Sequence, residues 1–328
     1  MTRLLPRLAA TRDRPLDLVG LGECSLDRVY RVPLCLGQPL PDKVSATGHD
    51  VLGGGQIATA CAAAARLGLR TRFVGAVGDD DVGQALLREL ATEPVDTSRV
   101  KTCPRCQTRT ALILSGQAGA RSVIEWRDPS LVLPIDALTV QDVSDARILH
   151  VDLCFPDASL WAAQQARAHG LLVLVDLDRP GPRCTELLTQ TDLCVVSEHF
   201  PSRYTGIEDP ERAALALSEQ TPGHVIVTQG ERGGWLVRGQ SIERFAAFCP
   251  PQLVDTTACG DTFHAALAAG LLTAAQRDPL ASDDRALAWA LRFASAAAAL
   301  KCADLGRRGC PTRAQVDLFL RNHPEPAR

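Results

Sequence analysis

The chain alternates between short apolar runs and longer alanine-rich segments with helical spacing. The apolar runs predict buried strands at Asp17–Gly22, Arg72–Ala76, Arg147–Val151, Leu171–Asp176, Leu193–Val196 and His224–Thr228. The alanine-rich segments predict helices at Ile57–Leu67, Val82–Leu90, Ala158–Ala168, Arg212–Glu219, Asp261–Leu272 and Ala286–Cys302. This alternation is typical of βαβ units, whose strands run parallel. Because apolar runs this continuous need helices over both faces of a sheet, the sequence predicts an α/β fold with a mostly parallel central sheet.

Two stretches interrupt the alternation, Arg28–Leu52 and Val100–Trp126. Both are richer in Pro, Gly and Thr and in part alternate apolar with polar residues, which predicts short antiparallel strands outside the main sheet. We expect these insertions to form one small β lid on a single domain that spans 15–322. Residues 1–14 and 323–328 are predicted to be tails, the first of them disordered. The exposed face of such a lid could pair two subunits into a homodimer.

The composition excludes several classes of protein. The 328 residues are 46% hydrophobic and 22% charged, which excludes a wholly disordered, collagenous or coiled-coil chain. A formal net charge of −3 gives no electrostatic footprint for nucleic acid or an anionic membrane surface. No apolar run approaches the ~18 residues that span a bilayer. The 12 cysteines are scattered and follow no signal peptide, so we expect reduced thiols in a cytoplasmic protein.

The strongest chemical signal lies where a run of small residues leads into an apolar helix. The small residues are Ala258, Cys259 and Gly260, and the first backbone amides of a helix have no intrahelical partner. These amides would form an anion hole, and Asp261 in the first turn could accept a proton from a hydroxyl beside it. That combination suits phosphoryl transfer to an alcohol. The alternative is that Asp255 or Asp261 only caps the helix.

Two glycine-rich turns adjoin predicted elements: one precedes a helix, and the other follows a strand. The triplet Gly53-Gly54-Gly55 precedes a long helix and would let a ligand approach the backbone closely. Its spacing matches neither a Walker loop nor a dinucleotide fingerprint, so tight packing is the alternative. The turn at Thr228-Gln229-Gly230 follows a predicted strand, and open parallel sheets bind ligands at the carboxyl ends of their strands. A plain β-turn is the alternative there.

Together with the segment Phe73–Gly83, these motifs resemble the ribokinase/PfkB family of carbohydrate kinases, in the same order and spacing, from about residue 17 to residue 320. The resemblance implies a ribokinase-like three-layer α/β fold with a small β-sheet lid. It also implies a phosphotransferase that moves the γ-phosphoryl group of ATP to a sugar hydroxyl, with Mg²⁺ as a cofactor. The family's catalytic base falls on Asp261, and its anion hole for the transferred group falls on the amides of residues 258–260.

The resemblance assigns further site residues. Substrate-binding positions are Asp27, Lys43, Gly54, Gly55 and Thr59, although an ordinary solvated lysine is the alternative for Lys43. Nucleotide-binding positions are Glu198, Thr228, Gly230, Gly233 and Ser295, with Glu198 in place of a family motif that organises Mg²⁺ and phosphate. A monovalent cation such as K⁺, which some members bind, would lie at Asp255 and Thr256.

Within the family the motifs are most similar to those of the sulfofructose kinases. Glu125 and Cys154 stand where those enzymes have the amide and the arginine that hold a sulfonate, and an acid there would repel an anionic group. The substrate stays open among sugars, sugar acids, sugar phosphates and nucleosides. The unusual stretch 197–200 and Cys259 leave a non-catalytic sugar or nucleotide sensor as the rival function, and the presence of Gly260 and Asp261 argues against it.

Overall fold

The computed structural model describes residues 3–36, 39, 41–116, 121–278 and 281–324. Its strands are β1 Leu18–Leu21, β2 Ser25–Arg31, β3 Gly48–Gly54, β4 Thr71–Val74, β5 Ala76–Gly78, β6 Val95–Asp96, β7 Lys101–Cys103, β8 Thr110–Ser115, β9 Arg121–Trp126, β10 Ile148–Val151, β11 Leu172–Leu177, β12 Leu193–Ser197, β13 His224–Thr228, β14 Gly234–Arg238 and β15 Ser241–Phe245. Its helices are α1 Leu4–Ala10, α2 Gln56–Arg66, α3 Asp81–Leu90, α4 Gln141–Ser144, α5 Pro156–Ala168, α6 Cys184–Thr189, α7 Phe200–Thr205, α8 Pro210–Ser218, α9 Cys259–Arg277, α10 Asp283–Lys301 and α11 Arg313–Asn322.

A large central sheet organises the domain. Over the described ranges it has nine strands in the order β15-β14-β13-β12-β11-β10-β1-β4-β6. The strands from β13 to β6 pair in parallel, and the edge strands β14 and β15 pair antiparallel. The predicted parallel α/β fold is therefore confirmed. The antiparallel edge continues the sheet beyond the last strand predicted from the sequence.

Alternate residues of each central strand point to opposite helical layers. Leu18 and Leu172 pack with α1, α2, α9, α10 and α11 in one buried cluster. Val19 and Val173 pack with α5, α6, α7 and α8 in the other. Since both faces of the strands are buried, most positions in them are apolar, which explains the nearly continuous apolar runs. The arrangement is three layers, with helices on both sides of the sheet.

The lid is a second sheet, with the strand order β3-β2-β8-β9 among the described residues. It draws its strands from the two segments that interrupt the alternation. The β2–β3 and β8–β9 pairs are antiparallel, whereas β2 and β8 pair in parallel. Val29, Leu52, Ala111 and Ile113 bury one face. All six residues of β9 are exposed.

The prediction of a disordered tail at residues 1–14 is wrong for α1. Leu4, Leu5 and Leu8 are fully or almost fully buried, and α1 contacts α9, α10 and β11. The backbone N–H groups of Leu4 and Leu5 donate to the carboxylate of Asp283, both at 2.9 Å. Three leucines on one side of a short helix give it enough apolar surface to dock. Residues 325–328 of the second predicted tail lie outside the described residues.

A membrane-crossing helix is absent from the described part of the chain, where none is both long and apolar enough.

Candidate active site

A cleft of about 580 Å³ separates the lid from the central sheet. Lid residues Ser25, Asp27, Ala111, Ile113, Arg121, Val123 and Glu125 line one wall. The other wall combines the carboxyl ends of β11, β12 and β13 with the first residues of α9. A smaller cavity of about 30 Å³ adjoins it, and Asp27, Gly55 and Asp261 line both spaces. Ligands of parallel sheets bind at this end of the strands.

The start of α9 presents unused backbone donors to this cleft. Ala258 adopts a left-handed conformation with φ of +67°, which turns the chain into the helix. The N–H of Cys259 donates to the carbonyl of Thr256 at 3.3 Å. The N–H groups of Ala258, Gly260 and Asp261 donate to no atom of the residues described. The donors left for an anion are therefore those of 258, 260 and 261, rather than the predicted 258–260.

Two carboxyl groups with raised pKa values share the cleft. Burial, together with the nearby Asp27, raises the pKa of Asp261 to about 7. Burial also raises the pKa of Asp27 to about 6, against the opposing hydrogen bond from Ser25 Oγ, 2.8 Å from its Oδ1. A carboxyl group with a pKa near 7 can take up a proton efficiently at neutral pH. Asp261 is thus suited to act as a base, and Asp27 stands beside it.

The glycine pair explains how Asp27 is held. A Cβ on Gly54 would lie 2.1 Å from Asp27 Oδ2, so no other residue leaves room for this carboxylate. Gly55 has a φ of +87°, and a Cβ there would lie 2.5 Å from Cys24 Cα. Thr59, on α2, is buried and lines the smaller cavity. Asp27, Gly54, Gly55 and Thr59, the predicted substrate-binding positions other than Lys43, thus line one cavity.

The other predicted ligand residues are more scattered. Thr228 lines the cleft, and its Oγ1 donates to the carbonyl of Val196 at 3.3 Å. Glu198 lies just beyond β12 and forms an ion pair with Arg232. Gly230 and Gly233 lie in the turn between β13 and β14 with φ values of +60° and +82°, and Ser295 is buried in α10. Lys43 is exposed and lines neither cavity. Of these six residues, Thr228 is the only one among the described residues that line either cavity.

Asp255, one of the two predicted monovalent-cation positions, already has a cationic partner. Lys301 Nζ donates to the main-chain carbonyl of Asp255 at 2.9 Å and lies 3.5 Å from its Oδ2. The N–H groups of Thr257 and Gly306 donate to the same carboxylate at 3.0 and 2.8 Å. Although burial opposes it, these hydrogen bonds and the Lys301 ammonium hold the pKa of Asp255 below its ordinary value. Thr256 lines the main cleft.

Further carboxylates lie at the ends of the central strands. Asp176 and Asp178, at the end of β11, line the cleft, and burial and the charge of Asp261 raise the pKa of Asp176 well above its ordinary value. His264 on α9 lies 3.7 Å from Asp176 Oδ2 through its Nε2, and its Nδ1 is 3.2 Å from His150 Nε2. Burial lowers the pKa of His264 to about 3, so this histidine is neutral. It is buried and lines the cleft next to Asp176.

Sequence reasoning pointed to Arg127 as a lid side chain of the pocket but missed the other three arginines of the cleft. Arg109, Arg121 and Arg127 line it on the lid side, and Arg179 lines it from the segment that follows β11. The carboxylate predicted to repel an anion, Glu125, is 2.9 Å from Arg109 and 3.7 Å from Arg179, so its charge is compensated. The available signal was the two-residue period of β9, since residues 121, 123 and 125 all face the cleft.

Arg121 differs from the other three arginines. The one hydrogen bond of its side chain within the described ranges goes to Thr257 Oγ1, at 3.4 Å, whereas Arg109 and Arg127 pair with Glu23. Thr257 belongs to the turn that leads into α9. Arg121 therefore places a positive charge without a carboxylate partner, among the residues described, close to the amides at the start of that helix.

Comparisons with known proteins identify relatives over nearly the whole chain. The model of the pfkB family of carbohydrate kinases matches residues 16–313. Ribokinase from Haemophilus influenzae is 27% identical over an alignment covering 92% of this chain and 98% of that protein. Fructokinase-1 from Zea mays is 29% identical, with 80% of this chain and 86% of that protein covered.

A solved structure agrees with these sequence relatives. The structure of Arabidopsis thaliana ribokinase complexed with ribose and ATP matches with a TM-score of 0.76 and 26% identity, covering 93% of this chain and 98% of that one. This similarity confirms the ribokinase-like fold that the sequence motifs implied.

Proposed function

The chain belongs to the pfkB family of carbohydrate kinases, and on that premise we propose that it transfers the γ-phosphoryl group of ATP to a hydroxyl group of a sugar bound between Asp27 and Asp261. The observation that carries the proposal is the meeting, in one cleft, of a carboxyl group with a pKa of about 7 and the unused backbone donors at the start of α9. A base beside an anion-binding helix start is what phosphoryl transfer to an alcohol requires.

The chemical step follows from these positions. The sugar hydroxyl gives its proton to the carboxylate of Asp261 while its oxygen forms a bond to the γ-phosphorus. The bond from that phosphorus to the bridging oxygen of ADP breaks, and ADP leaves. The N–H groups of Ala258, Gly260 and Asp261 stabilise the negative charge on the transferred group. Asp27 accepts hydrogen bonds from other hydroxyls and so orients the sugar.

The carboxylates at the end of β11 fit the Mg²⁺ that accompanies ATP in this family. Asp176 and Asp178 both line the cleft, and carboxylate oxygens, with water, are the ligands that Mg²⁺ prefers. When bound, Mg²⁺ neutralises phosphate charge. Glu198, the residue predicted for this role, instead pairs with Arg232 and is absent from the described lining of the cleft. We propose Thr228 as the strand-end residue that borders ATP.

The charges on the lid side favour an acceptor with an anionic group as a second, narrower candidate. Three arginines line this wall against Glu23 and Glu125, Arg179 adds a fourth from the segment after β11, and Arg121 has no carboxylate partner among the described residues. A carboxylate, phosphate or sulfonate on the sugar would accept charge-assisted hydrogen bonds from these guanidinium groups. Sugar acids and sugar phosphates are thus preferred over neutral sugars.

An ADP-release assay with Mg²⁺ and ATP tests the proposal. The acceptor panel contains ribose, fructose, 2-keto-3-deoxygluconate, sulfofructose, fructose phosphates and nucleosides, and Asp261→Asn is the blank. We expect turnover on one acceptor that the substitution abolishes. ATP binding without turnover on any acceptor would instead support the sensor.

Arg121→Ala separates the two candidates within the class. For an anionic acceptor we expect KM to rise about tenfold or more, because a charge-assisted hydrogen bond is lost, and for a neutral sugar we expect little change. An equal loss for both kinds of acceptor would contradict the anionic candidate.

The lid also supports a proposed homodimer. Ile124 and Trp126, on the face of β9 that points away from the cleft, are 59% and 53% exposed, an unusual apolar surface for one edge strand. Light scattering of the chain and of Ile124→Lys tests this pairing: a dimer that the charge converts to a monomer is expected, and a monomeric native chain would contradict it.

A further inference from the structure

A fully buried lysine binds main-chain oxygens beside the proposed active site. Lys301 is the last residue of α10, and its side chain has no exposed surface. Its Nζ donates to the carbonyl oxygens of Asp255 at 2.9 Å and Asp304 at 3.0 Å, with Asp255 Oδ2 3.5 Å away. Two carbonyls and a carboxylate are also the hard oxygen donors that an alkali cation takes in a protein. The ammonium thus has the surroundings of a bound cation.

This ammonium joins two turns. One turn runs from Cys302 to Gly306, and the other leads through Asp255 into α9. Further bonds cross the same joint: the N–H groups of Val254 and Asp255 donate to the carbonyl of Cys302 at 2.7 and 3.2 Å, and Gly306 N–H donates to the Asp255 carboxylate at 2.8 Å. The Lys301 charge therefore fixes the backbone that immediately precedes the proposed anion hole.

The residues do not fit a second cation. The resemblance placed a monovalent ion at Asp255 and Thr256, yet the carbonyl and carboxylate of Asp255 already bind the ammonium of Lys301. An added K⁺ sharing these oxygens would meet a positive charge that is tethered and cannot leave. Because the Lys301 ammonium is covalently part of the chain, no cation has to bind from solution to occupy this position.

We propose that Lys301 is a built-in replacement for the monovalent cation, so that the phosphotransferase activity of this chain is independent of K⁺. The inference rests on the proposed function for its kinetic part and on the structure alone for its ion-binding part. Lys301 is a positioning residue: it acts through the Asp255 turn on the amides of Ala258 and Gly260, and does not touch the reacting atoms.

The first test compares the native chain in KCl, NaCl and choline chloride at equal ionic strength. We expect the same kcat in all three salts and the same melting temperature, and titration calorimetry should detect no stoichiometric K⁺ binding. Activation by K⁺ over choline, or one K⁺ bound per chain, would overturn the proposal. The melting and calorimetric arms need no substrate, so their outcome stands even if the acceptor panel shows no turnover.

The second test vacates the position of the Lys301 ammonium, so that a cation from solution can bind there. Lys301→Ala removes the ammonium, and we expect kcat in choline to fall about 100-fold because the anion hole loses its fixed position. K⁺ should restore both kcat and melting temperature, whereas choline should not. A merely structural lysine would give a loss that no cation rescues, which would overturn the proposal.

Lys101→Ala is the matched control, since Lys101 lies on β7 and lines neither cavity. It should show the native response to each salt. If Lys301→Ala does not fold in any salt, the salt dependence of the native chain decides the question alone.

Discussion

Asp255 and Asp261 lie six positions apart in one short segment, and the structure gives them opposite environments. Asp255 receives N–H groups from Thr257 and Gly306 and faces the Lys301 ammonium, so its pKa lies below the ordinary value. Asp261 is half-buried at the cleft, stands near the carboxylate of Asp27, and has its pKa raised to about 7 by burial and that charge. The first carboxylate is fully paired, and the second is left available to react.

The difference shows that a carboxylate in this segment is assigned its role by its neighbours. A paired carboxylate holds its charge and stabilises the turn, but it binds protons too weakly to serve as a base near pH 7. A poorly paired one is costly to ionise and therefore binds a proton readily. We infer that the Asp255 turn supplies rigidity and that the start of α9 supplies chemistry.

The largest expected effect comes from replacing the reactive carboxylate. Asp261→Asn keeps the shape of the side chain but removes the proton acceptor, so kcat should fall by about 10²- to 10⁴-fold. Steady-state kinetics with a saturating acceptor measure it. Asp157→Asn is a matched control, because Asp157 is an acid in the first turn of α5 and does not line the cleft. A kcat for Asp261→Asn close to that of the control would refute the role of base.

Replacing the paired carboxylate should act on stability instead. Asp255→Asn leaves the buried Lys301 ammonium without its counter-ion, and breaking a buried pair of this kind costs about 3 kcal/mol of unfolding free energy. Urea unfolding followed by circular dichroism measures the loss. Asp261→Asn should show no such loss at neutral pH. A larger loss of unfolding free energy in Asp261→Asn than in Asp255→Asn would contradict the roles given to the two carboxylates.

Sequence patterns predicted the fold because buried apolar positions recur at regular spacing along the chain. The strands around Leu18, Leu172 and Leu193 each sit in an apolar run that helices cover on both faces, and local periodicity reports this. Helix α1 escaped prediction because the elements it contacts, α9, α10 and β11, all lie far along the chain.

The site was predictable to the extent that its residues adjoin one another in sequence. The motif around Gly260 and Asp261 and the glycine pair are continuous segments, and both line the cleft. The partner of Asp255 lies 46 residues away, so no spacing rule links Lys301 to it. The same holds for Arg121, whose side chain reaches the α9 turn from the lid across 136 residues.

A finer prediction concerns the pH dependence of turnover. The base must be ionised, so kcat should rise with pH through the pKa of Asp261, about 7, and then level off. Asp27 contributes to that pKa as a neighbouring negative charge. In Asp27→Asn the rising limb should move to lower pH, by a shift on the order of one unit. Rates at saturating acceptor between pH 5 and pH 9 measure this, and an unmoved limb would show that Asp27 does not act on the base.

The smallest expected effect is the pH dependence of folding, where the two carboxyls should act with opposite signs. The folded-state pKa of Asp261 is raised, so between about pH 4 and pH 7 the folded chain retains a proton that the unfolded chain releases, and stability falls as pH rises. Asp261→Asn removes this fall and should gain on the order of 1 kcal/mol relative to the native chain between pH 4 and pH 8; the full linkage value is not reached because the side chain borders the cleft.

The folded-state pKa of Asp255 is lowered, so its contribution is present above its unfolded pKa and disappears as pH falls through the folded value. The deficit of Asp255→Asn should therefore be largest at neutral pH and shrink in acid. Urea midpoints at a series of pH values separate the two signs, and parallel curves for the two variants would mean that their environments do not differ as the structure shows.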